Sequence, residues 1–224
     1  MKVKRLEITH NETVLVDISF QIASTLALVG QSGSGKSLTL KALLNMLPSN
    51  LTYTLDTDFS DTNIGYIPQN PFTSLSPLTA ISKQFFCSYK KQIELLKLVD
   101  VPIESLQKYP MQLSGGQLQR IVIAIALSSE PKLLLLDEPT TALDTKSKIN
   151  ILNILQEIEN KLKTKMLFVT HDISSIENLC EDIIVLHKGY ICESGKTKEI
   201  LANPKHFYTK ELITSNFANR EFRC

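Results

Sequence analysis

The sequence predicts an α/β fold in which a mostly parallel sheet core is covered by helices, with an antiparallel β layer and an inserted helical subdomain. Three observations carry this. Short apolar runs of the buried-strand kind alternate with amphipathic helical patterns, the order that builds parallel sheets. The first two dozen residues instead alternate in β-branched, partly wetted runs. Between Asn70 and Ser129 apolar residues fall at three-to-four spacing, the mark of helices.

The elements follow in order. Val14, Val16, Ile18, Phe20 and Ile22 alternate as in strands with one wetted face, an antiparallel entry layer. Thr25 to Val29 reads as a buried strand, followed by a glycine-rich turn and then Leu38, Leu40, Leu43, Leu44 and Leu47 at helical spacing. Pro48 closes that helix, and the polar stretch to Asn63 is expected to loop back to a strand at Ile64 to Ile67. Beyond the helical insert, the pattern predicts a strand at Leu133 to Leu136, a helix from about Asp144 to Lys163 and a strand at Met166 to Thr170. A helix through Ile173 to Cys180 and a hairpin over Ile183 to Cys192 complete the core. The chain shows no internal repeat, low-complexity tract or coiled-coil insert.

Composition removes several functions. The chain has 224 residues, 43% of them hydrophobic, enough for a packed core. Its 24 Lys and Arg against 23 Asp and Glu leave a net charge of +1, so no global field favours nucleic acid or an anionic membrane. Apolar stretches such as Ile121 to Leu127 fall far short of the roughly 20 residues that span a bilayer. Met1 to Leu6 alternates charged and apolar residues without a secretory core, which leads us to expect residence in the cytosol. Cys87, Cys180, Cys192 and Cys224 form no CxxC pair and read as reduced, structural thiols.

The strongest signal is Gly30, Gln31, Ser32, Gly33, Ser34, Gly35, Lys36 and Ser37, in the spacing GxxxxGK[ST], with Leu38 opening the helix behind it. Gly30, Gly33 and Gly35 are expected to take positive φ and turn backbone N–H groups inward around phosphates at a helix N-terminus. Lys36 adds a flexible point charge, and the Ser37 hydroxyl is placed to ligate Mg²⁺. The strand at Leu133 ends in Asp137 and Glu138. Asp137 would hold the Mg²⁺ shell, and Glu138 would polarise a water aimed at the γ-phosphate.

A cradle with Asp and Glu suits many nucleotide hydrolases and kinases. Leu113 to Gln117, reading LSGGQ, narrows the field, because Ser114, Gly115, Gly116 and Gln117 at a helix start offer a hydroxyl and free amides to a second anion. One phosphate cannot readily use both corners of one chain if the insert projects sideways. The economical reading gives the second corner to a nucleotide held by another copy.

On these motifs the chain resembles the nucleotide-binding subunits of ABC transporters, over nearly its whole length. The resemblance implies the P-loop ABC ATPase fold as a single domain, residues 1–224, with a core over 1–69 and 130–202, a helical subdomain over 70–129 and a short tail over 203–224. It implies ATP and Mg²⁺ as ligands and ATP hydrolysis as the reaction. By matching motif, Gln69 is the glutamine that senses Mg²⁺ and the attacking water, so it joins Ser37 and Asp137 near the metal. Asp144 in TTALD sits at the dimer seam, and His171 in FVTHD contacts the γ-phosphate. Implied catalytic residues are therefore Glu138, His171, Gln69 and Lys36.

The implied partners are a second ABC ATPase subunit, identical or related, in an ATP sandwich, two membrane permeases, and indirectly an extracytoplasmic substrate-binding protein. Nucleic acid is not among them. The implied location is the cytoplasmic face of the membrane. Asn70 to Pro77, NPFTSLSP, and Asn203 to Leu212, NPKHFYTKEL, resemble segments of the importers of peptides, nickel and metal chelates, with Ser76 where Asn is usual and Phe207 where Pro is usual. The end at Cys224 favours the shorter nickel or metal-chelate type over the peptide type.

Two positions depart from the family. No Phe, Tyr or Trp occurs from Met1 to Ser19 to stack on adenine, leaving His10 as the substitute ring, and Ile125 stands where Arg is common. The alternative of a soluble ABC-type ATPase acting on DNA or ribosomes would call for a long coiled coil or two cradles, and the chain has neither.

Overall fold

The structure is a computed structural model that describes residues 1–59, 63–141 and 143–221, and of residues 216–221 the backbone alone. In chain order its elements are β1 (Lys2–His10), β2 (Thr13–Gln21), β3 (Thr25–Val29), α1 (Lys36–Leu43), β4 (Thr52–Thr57) and β5 (Ile64–Ile67). Then come α2 (Tyr89–Leu98), α3 (Gly115–Leu127), β6 (Leu133–Asp137), α4 (Thr145–Leu162) and β7 (Lys165–Thr170). The chain continues through β8 (Asp182–His187), β9 (Tyr190–Lys196), α5 (Thr197–Ala202) and α6 (Phe207–Glu221). Cys224 lies outside the described residues, whereas Cys87, Cys180 and Cys192 are free thiols. Burial pushes the Cys180 thiol up, so it stays protonated and inert.

The chain divides into two compact units, residues 1–61 with 166–224, and residues 62–165. The first contains two sheets. β1 sits between β2 and β4 in an antiparallel sheet whose inward residues, Val3, Leu6, Ile8, Val16, Ile18 and Phe20, are buried. The expected loop between Pro48 and Asn63 therefore contains a strand: alternating, β-branched TYTLDT supplies an edge that pairs with β1. The second sheet runs β7-β3-β8-β9, with β3 parallel to both β7 and β8 and only β9 antiparallel. Every residue of β3 is buried, which explains why its sequence shows no alternation.

One expected helix is missing from this unit. Ile173 to Cys180 holds only a 3₁₀ turn, Ile173–Ser175, because the Ser174 and Ser175 hydroxyls both donate back to Asp172, at 2.6 Å each. Such local bonds offer the backbone an alternative to continuing a helix.

The second unit pairs β5 with β6 in parallel and is otherwise helical. α3 is buried along Leu118, Ile121, Val122 and Leu127, and α4 along Ile151, Ile154, Leu155 and Ile158, at the spacing of one helical face. α4 begins where its sequence indicates, with Asp144 Oδ1 accepting from the Ser147 N–H at 3.0 Å. β5, β6 and α4 group with the helical stretch here, so the compact units divide the chain differently from the expected boundaries at 69 and 130. Among the described residues, no helix is long and apolar enough to cross a membrane.

Candidate functional site

Residues Gly30 to Ser37 connect β3 to α1, as the motif requires, and α1 begins at Lys36. Gly33 and Gly35 have φ of +79° and +110°, which an L side chain rarely adopts. Gly30 has ordinary φ, and its glycine serves close packing: a Cβ there would collide with the Leu186 carbonyl oxygen and come within 2.6 Å of Ser34 Oγ. The β8–β9 hairpin braces the loop from behind, the Gly189 N–H donating to the Ser34 carbonyl at 3.0 Å and the Asp17 N–H to the Gly189 carbonyl at 2.9 Å.

Lys36 is only 6% exposed, and its ammonium donates to the Gly30 and Gln31 carbonyls at 2.7 and 2.9 Å. An ammonium bonded to neutral carbonyls can exchange them for phosphate oxygens and gain the attraction between opposite charges. Ser34 Oγ is buried without a partner, a second polar group of the loop in reserve. His171 follows β7 in the same unit.

An acidic cluster is built within the second unit. β6 ends at Asp137, whose Oδ2 lies 3.5 Å from the Tyr66 hydroxyl on β5. Burial first, and then the charge and hydrogen bond of Asp137, push the Tyr66 phenol up to about 12, so at neutral pH it remains a donor. The next residue, Glu138, has φ +46°, an uncommon conformation for a side chain this long. Strain of this kind persists where surrounding bonds fix it, and they do: Thr141 Oγ1 donates to Glu138 Oε2 at 2.9 Å and Gln69 Nε2 donates to the same oxygen at 3.3 Å.

The structure thus brings Gln69 and Glu138 together. Thr141 and Tyr66 are members of this cluster that the sequence reading missed. Thr141 was visible in the TTALD run three residues after Glu138, and Tyr66 as the polar residue of strand IGYI, two before Pro68.

Also in this unit, Ser114 caps α3, accepting from the Gln117 N–H at 3.3 Å while Gln117 Oε1 accepts from the Ser114 N–H at 3.1 Å. This reciprocal capping box fixes the corner without using the amides of Gly115 and Gly116. A Cβ at Gly115 would meet nothing within 4 Å, and one at Gly116 would meet only Ser147, at 3.2 Å from Oγ. Asp144 is held below its usual carboxylate range, chiefly by the Ser147 hydroxyl and amide.

Leu75 is 8% exposed and lines a cavity of about 250 Å³ with Tyr66, Phe86, Val122 and Ile125. The exposed apolar residues of this stretch are Phe72, Leu78 and Phe86, the last two at 88% and 82%.

A profile described as ABC transporter matches residues 15–141, from β2 through the acidic cluster. The chain belongs to the ABC transporter family. Within it, the chain is an ATP-binding subunit and an ATPase. It is 34% identical to the oligopeptide transport ATP-binding protein OppD of Bacillus subtilis, over 89% of this chain and 65% of that protein. It therefore spans about two thirds of OppD's length. It is 32% identical to the metal-staphylopine import system ATP-binding protein CntD of Staphylococcus aureus, over 96% of this chain and 92% of that one. Among solved structures, the post-hydrolysis dimer of the ATP-binding cassette MJ0796 with ADP and Pi aligns with a TM-score of 0.68 and 27% identity, over 88% of this chain and 98% of that one.

Proposed function

We propose that this ABC subunit hydrolyses ATP to drive import of peptides or metal chelates through separate membrane permeases, sitting peripherally on the cytoplasmic face. Relatives named for oligopeptide and metal-staphylopine import support that cargo class. The observation that carries the mechanism is the contrast between a braced, glycine-dependent loop at Gly30–Ser37 and an open, amide-bearing corner at Ser114–Gln117. The loop takes the triphosphate through its amides and through Lys36, which leaves the Gly30 and Gln31 carbonyls to do so. A second ATPase subunit, identical or related, brings its Ser114 corner to the same phosphates, so that two nucleotides are clamped at the seam, with Asp144 beside it.

Among the described residues, no cluster of three or more His, Cys, Asp or Glu could hold a metal unaided. By donor chemistry alone, the oxygen atoms of Ser37, Gln69 and Asp137 are those that would hold a hard cation such as Mg²⁺. When bound, Mg²⁺ neutralises charge on the phosphates. Glu138 accepts the proton of the attacking water, Gln69 and Thr141 hold its carboxylate in place, and His171 contacts the γ-phosphate. Loss of the γ-phosphate removes the bridge, and the subunits part. Exposed Phe72, Leu78 and Phe86 carry that motion to the permeases.

The experiment is ATP hydrolysis and uptake measured with the permeases in liposomes. Glu138→Gln should bind ATP, hydrolyse it about a hundredfold or more slowly and stop uptake. Parental turnover in that variant would refute the assignment.

A further inference from the structure

The segment from Asn203 to Leu212 has no task in the ATPase scheme, yet it is tied to the phosphate loop. Glu193 on β9 takes two amides ahead of α6, accepting from the Lys205 N–H at 2.9 Å and the His206 N–H at 3.0 Å. His206 Nδ1 accepts from the Tyr208 N–H at 3.2 Å, which fixes the entry of the helix. Tyr208 is 5% exposed and packs on the His187 ring at the end of β8, with centroids 4.0 Å apart and planes tilted by 39°. Its hydroxyl accepts from the Gln31 N–H at 2.8 Å, across 177 residues of chain.

That N–H shares a peptide plane with the Gly30 carbonyl, which accepts from the Lys36 ammonium at 2.7 Å. A single amide is therefore held at one end by Tyr208 and at the other by Lys36. The lysine must let go when a triphosphate arrives, whereas the tyrosine need not. Without that acceptor, the part-buried Gln31 N–H would be left unpaired or would turn to seek another partner.

We infer that Tyr208 is a positioning residue for the phosphate loop. Its hydroxyl fixes the 30–31 peptide plane, so that the loop keeps its shape while Lys36 moves from carbonyl to phosphate. This rests on the ATP reading of the loop. It also makes the segment around α6 part of the nucleotide site, although no atom of Tyr208 need touch the nucleotide.

Tyr208→Phe tests this, because it keeps the ring and its packing on His187 and removes only the acceptor. In nucleotide-free protein, hydrogen exchange at the Gln31 amide should speed up about tenfold while the rest of β3, β8 and α6 keeps parental rates. The Kd for ATP should rise about tenfold with kcat within twofold, since an orphaned amide costs affinity and bound phosphates hold the loop at saturation. Parental exchange at Gln31 with parental ATP affinity would overturn the inference, as would uniformly faster exchange across the unit with kcat falling alongside affinity. A parent chain that fails to bind ATP would refute the reading of the loop instead, and the exchange at Gln31, measured without nucleotide, would still decide the role of Tyr208.

Discussion

The two corners that the proposed function assigns to phosphate are built in opposite ways. The Gly30–Ser37 loop is enclosed: two glycines at positive φ, a third with no room for a Cβ, a hairpin bonded to its back and a lysine buried among its carbonyls. The Ser114–Gln117 corner is bare, its capping box satisfied locally and its first glycine facing open space. The difference is what the proposal requires if only the loop is finished within one molecule. Among the described residues nothing lies within 4 Å of a Cβ built at Gly115, as a surface awaiting a partner's nucleotide requires.

The comparison can be broken by equivalent substitutions on its two sides. The largest effect is expected from Gly35→Val, which forces a β-branched residue to φ +110° with Val16 Cγ2 only 2.8 Å from the new Cβ. ATP binding by fluorescence titration should fall about a hundredfold or more, because the amides no longer converge. Next is Ser114→Arg, which fills the open corner. The isolated chain should bind ATP within about twofold of the parent while turnover falls about a hundredfold, since the obstruction acts only on a paired site. Should ATP affinity of the single chain collapse with it, the corner would belong to the chain's own nucleotide.

A gentler version is Gly115→Ala. Because its Cβ meets nothing within 4 Å and alanine favours a helix start over glycine, the unfolding midpoint should hold or rise by about a degree. Turnover should drop about tenfold, reporting the close approach of a second molecule.

The smallest effect concerns Asp144, which the proposal places beside the seam. Its carboxyl is held below the usual range by the Ser147 hydroxyl and amide, so the stabilisation it gives is present at neutral pH and fades as pH falls through its lowered pKa. Ser147→Ala should lower the melting temperature slightly near pH 7, and the gap from the parent should close at more acid pH.

How much of this was legible in the sequence depended on whether the signal was local. The loop, the LSGGQ corner, β5 at Ile64–Ile67 and the β8–β9 hairpin were read from neighbouring residues, and each stands where expected. Asp144 as the start of α4 was equally local. The failures share a cause. β4 is an edge strand whose polar composition reads as loop until β1 is there to pair with it. Ile173–Cys180 has helical apolar spacing, but serine hydroxyls returning to Asp172 win over it. Gly30 was assigned the wrong reason for being glycine, because Leu186 lies more than 150 residues away along the chain. Thr141 and Gln69 on Glu138, and Tyr208 on Gln31, are tertiary contacts that no spacing rule contains.

The central claim is that one triphosphate is gripped by the loop of one molecule and the serine corner of another. Sedimentation of the Glu138→Gln chain with ATP and Mg²⁺ tests it most directly, with and without Ser114→Arg. The account requires a two-chain species for Glu138→Gln that reverts to single, still ATP-bound chains when Ser114→Arg is added. A two-chain species that survives Ser114→Arg would contradict it.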